Sequence, residues 1–174
     1  MPSHHLITGG QRSGKSRHAE RLGLRWLAQS DAHSVTVLAT AVASDEEMRE
    51  RIARHRADRP DGFETVEAPV HLGAALRAAS APGRLLIVDC LTLWLSNLMH
   101  AERGWQREVS ELAAALPRLK SPVVFVTNEV GLGIVPDNAL ARSFRDAAGI
   151  MNQIIAGVAD EVEFVVAGLP MKLK

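Results

Sequence analysis

The sequence is poor in several residue types, and each scarcity excludes something. It has one cysteine, no tyrosine and 4% aromatic residues among 174. The single Cys90 excludes an internal disulfide, and because it follows an apolar run we expect a small buried residue rather than a reactive thiol. Lysine plus arginine equals aspartate plus glutamate at 20 each, so no net charge draws the chain to nucleic acid or to an anionic membrane.

Long apolar segments are also missing. No apolar run approaches the ~20 residues of a membrane-spanning helix. The start, MPSHHLITGG, has no cationic segment followed by a long apolar one. We therefore expect a cytoplasmic protein, in which any anion is held by a local site.

Two sequence patterns alternate along the chain. Apolar, β-branched runs predict strands at 5–8, 35–40, 84–90, 121–129 and 162–168, and helical patterns lie near 15–29, 44–57, 70–80, 93–116 and 138–158. Ser44 and Glu47 have the spacing of a capping box at the start of the second helix. This alternation predicts a single α/β domain over 1–174, with a mostly parallel central sheet covered by helices on both faces. Ligands of such sheets bind beyond the carboxyl ends of the strands.

The first predicted strand is followed by a phosphate-binding motif, GGQRSGKS, which fits the pattern G-x-x-x-x-G-K-[ST]. The glycines let successive backbone N–H groups point at phosphate oxygens, and the following helix N-terminus adds positive partial charge. Lys15 is expected to reach the β- and γ-phosphates and Ser16 to bind Mg²⁺. The predicted nucleotide contacts are Gly9, Gly10, Gln11, Arg12, Ser13, Gly14, Lys15 and Ser16.

Asp89 ends the third predicted strand, RLLIVDC. Alone, an aspartate there could be a helix cap or a turn residue. In a chain that also has a P-loop, an aspartate at this position is predicted to bind Mg²⁺ together with the P-loop serine. Ser16 and Asp89 are therefore the candidate Mg²⁺ residues.

His55 lies in an unusually basic segment, RIARHRADRP, late in the second predicted helix. One interpretation is a packed histidine on a basic surface helix. The other is a nucleophile, because nearby positive charge favours the neutral imidazole and the arginines form an anion site. A simple kinase does not need such a residue.

The segment TNEVGLGIVP follows the fourth predicted strand. Glu129, Gly131 and Gly133 make it a polar loop with glycine hinges, which is either a loop on the substrate side of the site or an ordinary flexible turn.

Five segments together resemble one family. GGQRSGKSRHAE, RIARHRADRP, VDCLTLWLSNL, VTNEVGLGIVP and AGLPMKLK, in order between residues 6 and 174, are similar to the bifunctional adenosylcobinamide kinase/adenosylcobinamide-phosphate guanylyltransferases. With the P-loop, the resemblance implies a RecA-like P-loop NTPase fold, a three-layer α/β sandwich. It also implies two reactions: ATP or GTP phosphorylates adenosylcobinamide, and GTP then donates GMP to that phosphate, giving adenosylcobinamide-GDP.

The resemblance also assigns residues. It implies that His55 carries the GMP, with Lys15 and Asp89 as the other catalytic residues. Some members have two adjacent histidines, whereas here Arg54 precedes His55. The family is known to form trimers, so a homo-oligomer is expected. The further GTP contacts that it implies are Ala39, Thr40, Ala41, Arg56, Ala57, Asp58, Arg59, Glu67 and Asp89.

Two other functions remain open from the residues alone. One is a plain P-loop kinase or RecA-like ATPase that uses Lys15, Ser16 and Asp89, with a structural His55. The other is a non-catalytic nucleotide-binding regulator whose GLGIVP loop meets a partner protein. A stable GMP adduct on the protein would exclude both.

Overall fold

A computed structural model describes residues 3–43, 46, 49–50, 53 and 59–174. In this part of the chain, seven strands form one sheet in the order β3-β2-β4-β5-β1-β6-β7. The strands are β1 (His4–Thr8), β2 (Ser34–Ala39), β3 (Phe63–Glu67), β4 (Arg84–Asp89), β5 (Val123–Val126), β6 (Glu161–Val166) and β7 (Leu169–Lys172). The helices are α1 (Lys15–Leu27), α2 (Leu72–Ala79), α3 (Leu91–His100), α4 (Trp105–Ala115) and α5 (Ala139–Val158), with a 3₁₀ turn at Leu116–Arg118.

The sheet is parallel except for β7, which pairs antiparallel with β6. β1 lies in its interior, paired with β5 on one side and β6 on the other. Alternate residues of β1 enter different cores: Leu6 packs among residues of α2 to α5, and Ile7 packs on the face covered by α1. Both faces of the sheet are therefore buried, which explains the continuous apolar runs. The predicted α/β three-layer architecture is confirmed.

Three elements differ from the sequence prediction. The helix expected over 93–116 is two helices, because the chain turns between α3 and α4 with Glu102 at a φ of 51°. β3 was not predicted, since most of its side chains are exposed at the sheet edge. β7 was missed for a similar reason: it is an exposed edge strand, and it contains Pro170, which edge strands tolerate.

Some predictions fall outside the described residues. These are most of the helix expected over 44–57, its capping box at Ser44 and Glu47, and the site residues His55, Arg56, Ala57 and Asp58. The residues of this stretch that the structure does describe, 46, 49, 50 and 53, are helical. Among the described helices, none is long and apolar enough to cross a membrane.

Candidate functional site

The P-loop is folded tightly against the end of β6. Gly9 has a φ of 153° and Gly14 a φ of 102°, and residues other than glycine rarely adopt these backbone conformations. A Cβ at Gly9 would lie 2.4 Å from the Val165 carbonyl oxygen, and one at Gly14 would lie 3.1 Å from Gly168 Cα. α1 begins directly after Gly14 without a side-chain cap, so its first N–H groups remain available for an anion. The two glycines are required by this geometry.

Lys15 is the buried cation of the site, with 7% of its surface exposed. Its Nζ donates to the Gly10 carbonyl oxygen at 2.5 Å, within its own loop. Burial lowers the Lys15 pKa from its ordinary value, while Cys90 and the Asp89 carboxylate oppose that shift. A lysine held in this way offers a fixed positive charge to phosphate oxygens.

A cleft of about 510 Å³ lies at the carboxyl edge of the sheet, next to the P-loop. Four of its lining residues are cations, and Asp89 is the one carboxylate among the described residues there. A chain with no net charge thus has a locally positive cleft, as a polyphosphate requires. The lining residues are Gln11, Arg12, Ser13, Gly14, Lys15, Ser16, Arg17, Ala39, Ala41, Arg59, Asp89, Cys90, Leu93, Val126, Asn128, Ala167 and Gly168.

Side chains behind the cleft fix the loops that follow β2 and β4. The Thr40 hydroxyl accepts from the Cys90 N–H at 2.8 Å and donates to the Cys90 carbonyl at 2.7 Å. The Asn97 amide donates to the carbonyls of Thr40 and Pro69, both at 2.8 Å. Thr40 is fully buried and does not line the cleft. In the structure it joins two loops, whereas the family resemblance implied a nucleotide contact.

Cys90 is buried, as predicted, and it borders the cleft. Burial raises its pKa to about 11, and the neighbouring Asp89 carboxylate adds to the shift. The thiol is therefore protonated at neutral pH and is a poor nucleophile.

The structure brings many of the predicted site residues together, but not all of them. Residues 11–16, Ala39, Ala41, Arg59 and Asp89 line one cleft. Glu67 is exposed at the end of β3, level with Ala39, and does not line the cleft. Glu129 accepts from the Gly131 N–H at 2.5 Å, at the start of an exposed loop that also lies outside the cleft lining.

Several residues that line the cleft were not predicted from the sequence: Arg17, Cys90, Leu93, Val126, Asn128, Ala167 and Gly168. Asn128 had a usable signal, since it is a polar residue two positions after the apolar run VVFV. Ala167 and Gly168 begin the family segment AGLPMKLK, but their proximity to the P-loop depends on where β6 lies in the sheet.

A second cleft, of about 400 Å³, lies between α2 and α4. Two of its arginines are paired: Arg103 with Glu108 at 2.6 Å and Arg107 with Glu111 at 2.6 Å. It contains none of the predicted site residues, so the chemistry is assigned to the cleft at the P-loop.

These features define a class of protein. A parallel sheet with a P-loop after an interior strand and an aspartate at the end of β4 is the arrangement of a P-loop NTPase. The same fold is found in the flagellar accessory protein FlaH from Methanocaldococcus jannaschii, with a TM-score of 0.58, 17% identity and coverage of 99% of this chain and 78% of that one. A KaiC-like protein from Pyrococcus horikoshii is also similar, with a TM-score of 0.51, 13% identity and coverage of 93% and 70%. At these identities the similarity concerns the fold alone.

Sequence comparison identifies the family within that class. Residues 5–173 match the family described as cobinamide kinase / cobinamide phosphate guanyltransferase, and the chain belongs to it. It is 47% identical over 171 residues to the bifunctional adenosylcobalamin biosynthesis protein CobP of Pseudomonas aeruginosa, covering 97% of this chain and 96% of that protein. The protein CobU of Salmonella typhimurium is 43% identical over 184 residues, with coverage of 97% and 98%. The family resemblance inferred from the motifs is confirmed.

Proposed function

We propose that this protein phosphorylates adenosylcobinamide with ATP or GTP and then transfers GMP from GTP to the product, giving adenosylcobinamide-GDP. Membership of the family over residues 5–173 carries this proposal. The cationic cleft beside the P-loop supports it, because both reactions begin from a nucleoside triphosphate.

In the phosphoryl step, the P-loop N–H groups and Lys15 would hold the triphosphate while the corrinoid hydroxyl attacks the γ-phosphorus. The bond from the γ-phosphorus to the bridging oxygen breaks as the new P–O bond forms, the nucleoside diphosphate leaves, and the hydroxyl proton is released to solvent. Lys15 and the arginines of the cleft take up the negative charge that develops on the phosphate oxygens. This step requires positioning and charge but no covalent carrier.

The site also fits Mg²⁺. Ser16 and Asp89 line the same cleft and supply one hydroxyl and one carboxylate oxygen, which are ligands that Mg²⁺ prefers. The described residues contain no group of three or more histidine, cysteine or acidic side chains able to hold a metal. An ion bound largely through the triphosphate fits this sparse ligand set. When bound, Mg²⁺ would neutralise charge on the phosphates.

In the guanylyl step, the neutral imidazole of His55 would attack the α-phosphorus of GTP. An N–P bond forms, the bond to the bridging oxygen breaks, and pyrophosphate leaves. A phosphate oxygen of adenosylcobinamide phosphate then attacks the same phosphorus and releases His55. Arg59 lines the cleft four residues after His55.

The other guanine-nucleotide contacts are carried over from the family resemblance. Ala39 and Ala41 line the cleft, and Arg59 is held by the Thr65 hydroxyl on β3, which supports their assignment. For Arg56, Ala57, Asp58, Glu67 and Thr40 the assignment rests on the resemblance.

A homo-oligomer is part of the same proposal. Several apolar side chains are exposed on the described surface, with Leu132 82%, Ile134 97% and Leu169 72% accessible. Apolar surface of this kind favours an association in which a partner covers it. Sedimentation velocity would distinguish a trimer from a monomer.

The decisive experiment replaces His55 with alanine. With Mg²⁺, GTP and adenosylcobinamide, this variant should accumulate adenosylcobinamide phosphate, because only the second reaction needs the histidine. The wild-type protein, incubated with Mg²⁺-GTP alone, should gain the mass of GMP in an acid-labile, base-stable bond, and the variant should not. Replacing His33 with alanine provides a matched control at a histidine outside the cleft.

Wild-type yields of adenosylcobinamide-GDP from the His55→Ala variant would contradict the covalent mechanism. A wild-type protein that phosphorylates the corrinoid but never acquires GMP would instead indicate a plain P-loop kinase.

A further inference from the structure

Asn128 occupies a central position in the cleft that the proposed chemistry has not used. β5 lies between β1, which leads into the P-loop, and β4, which ends at Asp89. Val126 is level with Ile7 on one neighbour and with Asp89 on the other. Asn128 follows two residues later and lines the same cleft as Lys15 and Asp89. Asn128 thus lies at the end of the strand that separates the strand of the phosphate-binding loop from the strand that ends at Asp89.

The backbone of Asn128 is held from two sides by side chains. Its N–H donates to the Thr92 hydroxyl at 2.7 Å, and its carbonyl accepts from the Asn152 amide at 3.3 Å. Thr92 belongs to α3 and Asn152 to α5, so two helices fix one residue. The side-chain amide of Asn128, by contrast, has no hydrogen-bond partner within the part of the chain that the structure describes.

The groups that hold Asn128 are themselves linked. The Thr127 hydroxyl donates to Asn152 Oδ1 at 2.8 Å and lies 3.3 Å from the Thr92 hydroxyl. Thr127 gives its one proton to Asn152, so in the contact between the two hydroxyls the Thr127 oxygen can only accept. The Asn152 amide orientation is set by the same bonds, since its oxygen accepts from Thr127 and its nitrogen donates to Asn128.

This network is buried, with Thr127 fully enclosed and Thr92 7% exposed. Buried polar groups add rigidity and specific geometry when every member is satisfied, as these are. Ordinary packing against β5 would need only apolar side chains. The arrangement instead fixes the position of one residue whose amide is unengaged and faces a cationic cleft.

We propose that the Asn128 side-chain N–H donates a hydrogen bond to an oxygen of the γ-phosphoryl group, and that Thr92, Thr127 and Asn152 are positioning residues for it. A preorganised donor in such a site stabilises charge that develops during transfer. The inference rests on the proposed function only in requiring a triphosphate in the cleft, and it does not depend on the corrinoid acceptor.

The test compares the affinities of β,γ-imido-ATP and ADP in the presence of Mg²⁺, measured by calorimetry. The wild-type protein should prefer the triphosphate analogue, and Asn128→Ala should reduce that preference by about tenfold, since one hydrogen bond to a charged group is lost. Affinity for ADP should be unchanged. The turnover number for corrinoid phosphorylation should fall by about 10- to 100-fold. Gln153→Ala, which removes an exposed amide on α5, should match the wild type.

A wild-type ratio of the two affinities in Asn128→Ala would overturn the proposal, and so would a wild-type protein without a preference for the triphosphate. The two affinity measurements need no corrinoid. If the wild-type protein binds the analogue as expected but does not phosphorylate adenosylcobinamide, the proposed function fails while the assignment of Asn128 stands.

The positioning role has its own test. Thr92→Val removes the hydroxyl that accepts from Asn128 N–H and should lower the preference for the triphosphate, again without altering ADP affinity. Thr92→Ser keeps the hydroxyl and should restore the preference. A Thr92→Val protein with the wild-type preference would overturn the positioning role. If that variant does not fold, Asn152→Ala provides the same readout from the other side of the network.

Discussion

The N–H of Gly168 donates to the carbonyl oxygen of Ser13 at 2.8 Å. This bond joins the turn between β6 and β7 to the middle of the P-loop. The phosphate-binding loop is therefore supported by a segment more than 150 residues away in sequence, and its shape depends on the C-terminal hairpin.

Gly168→Ala should destabilise the protein and loosen the P-loop. Gly168 has a φ of 81°, a conformation that costs a residue with a Cβ roughly 1–2 kcal/mol. We expect urea denaturation to show a loss of about that size, together with weaker nucleotide binding. Gly149→Ala is the matched control, because Gly149 lies within α5 with open space around it. There alanine should be neutral or stabilising by up to about 1 kcal/mol. Equal effects at both positions would contradict the argument from backbone conformation.

Lys15→Ala should abolish both transfer reactions if they use one triphosphate site. The charge that Lys15 supplies is buried beside the P-loop, and the other lining cations are arginines that differ in geometry. Rates of phosphorylation and of GMP transfer should each fall by at least about 100-fold, measured by separating the corrinoid products. Lys120→Ala provides a control, since Lys120 is exposed and precedes β5, at the amino ends of the strands and away from the cleft. Normal rates of both reactions in Lys15→Ala would show that the P-loop is not the functional site.

Asp89→Asn should keep the fold and lower turnover, most strongly at limiting Mg²⁺. Asparagine has nearly the same shape as aspartate, but the substitution removes the one carboxylate among the described lining residues of the cleft. Steady-state rates across a Mg²⁺ titration should show a higher Mg²⁺ requirement. Asp31→Asn, at an exposed turn before β2, should leave the titration unchanged. An unchanged rate for Asp89→Asn at low Mg²⁺ would assign that aspartate to a structural role.

The protein should lose stability as the pH falls below about 6.5, in part through His5. Burial lowers the pKa of His5, outweighing Glu163 and Glu161, which raise it, while His18 adds to the lowering. In the unfolded chain the pKa returns to its ordinary value near 6.5. Between these two values the unfolded chain binds more protons, so acid favours unfolding. His5→Gln should flatten the dependence of the unfolding free energy on pH between about 7 and 5. A variant with the wild-type slope would contradict this.

Much of the site could be predicted because its signals are local. The spacing of Gly9, Gly14, Lys15 and Ser16 defines the loop, and Asp89 ends a recognisable strand. Asn128 and the residues that hold it could not be assigned in the same way. Their proximity follows from the order of the strands, which places β5 between β1 and β4, and no short segment of sequence contains that order.

The edges of the sheet and the helix boundaries were predicted less well, also for physical reasons. β3 and β7 lack the continuous apolar runs of buried strands because most of their side chains face solvent. The prediction of a single helix over 93–116 was wrong, since the pattern remains helical on both sides of a four-residue turn at 101–104. The family motifs predicted the fold class independently of these details.

The interior position of β1 determines which backbone amides exchange slowly with solvent deuterium. β1 is paired on both sides and packed on both faces, so its amides exchange only when the whole domain opens. β3 and β7 are the outermost strands of the sheet in the part of the chain that the structure describes, and they exchange through smaller, more frequent openings. The strand that carries the P-loop thus belongs to the last part of the molecule to open, and the base of the phosphate cradle keeps its shape while the edges of the sheet fluctuate.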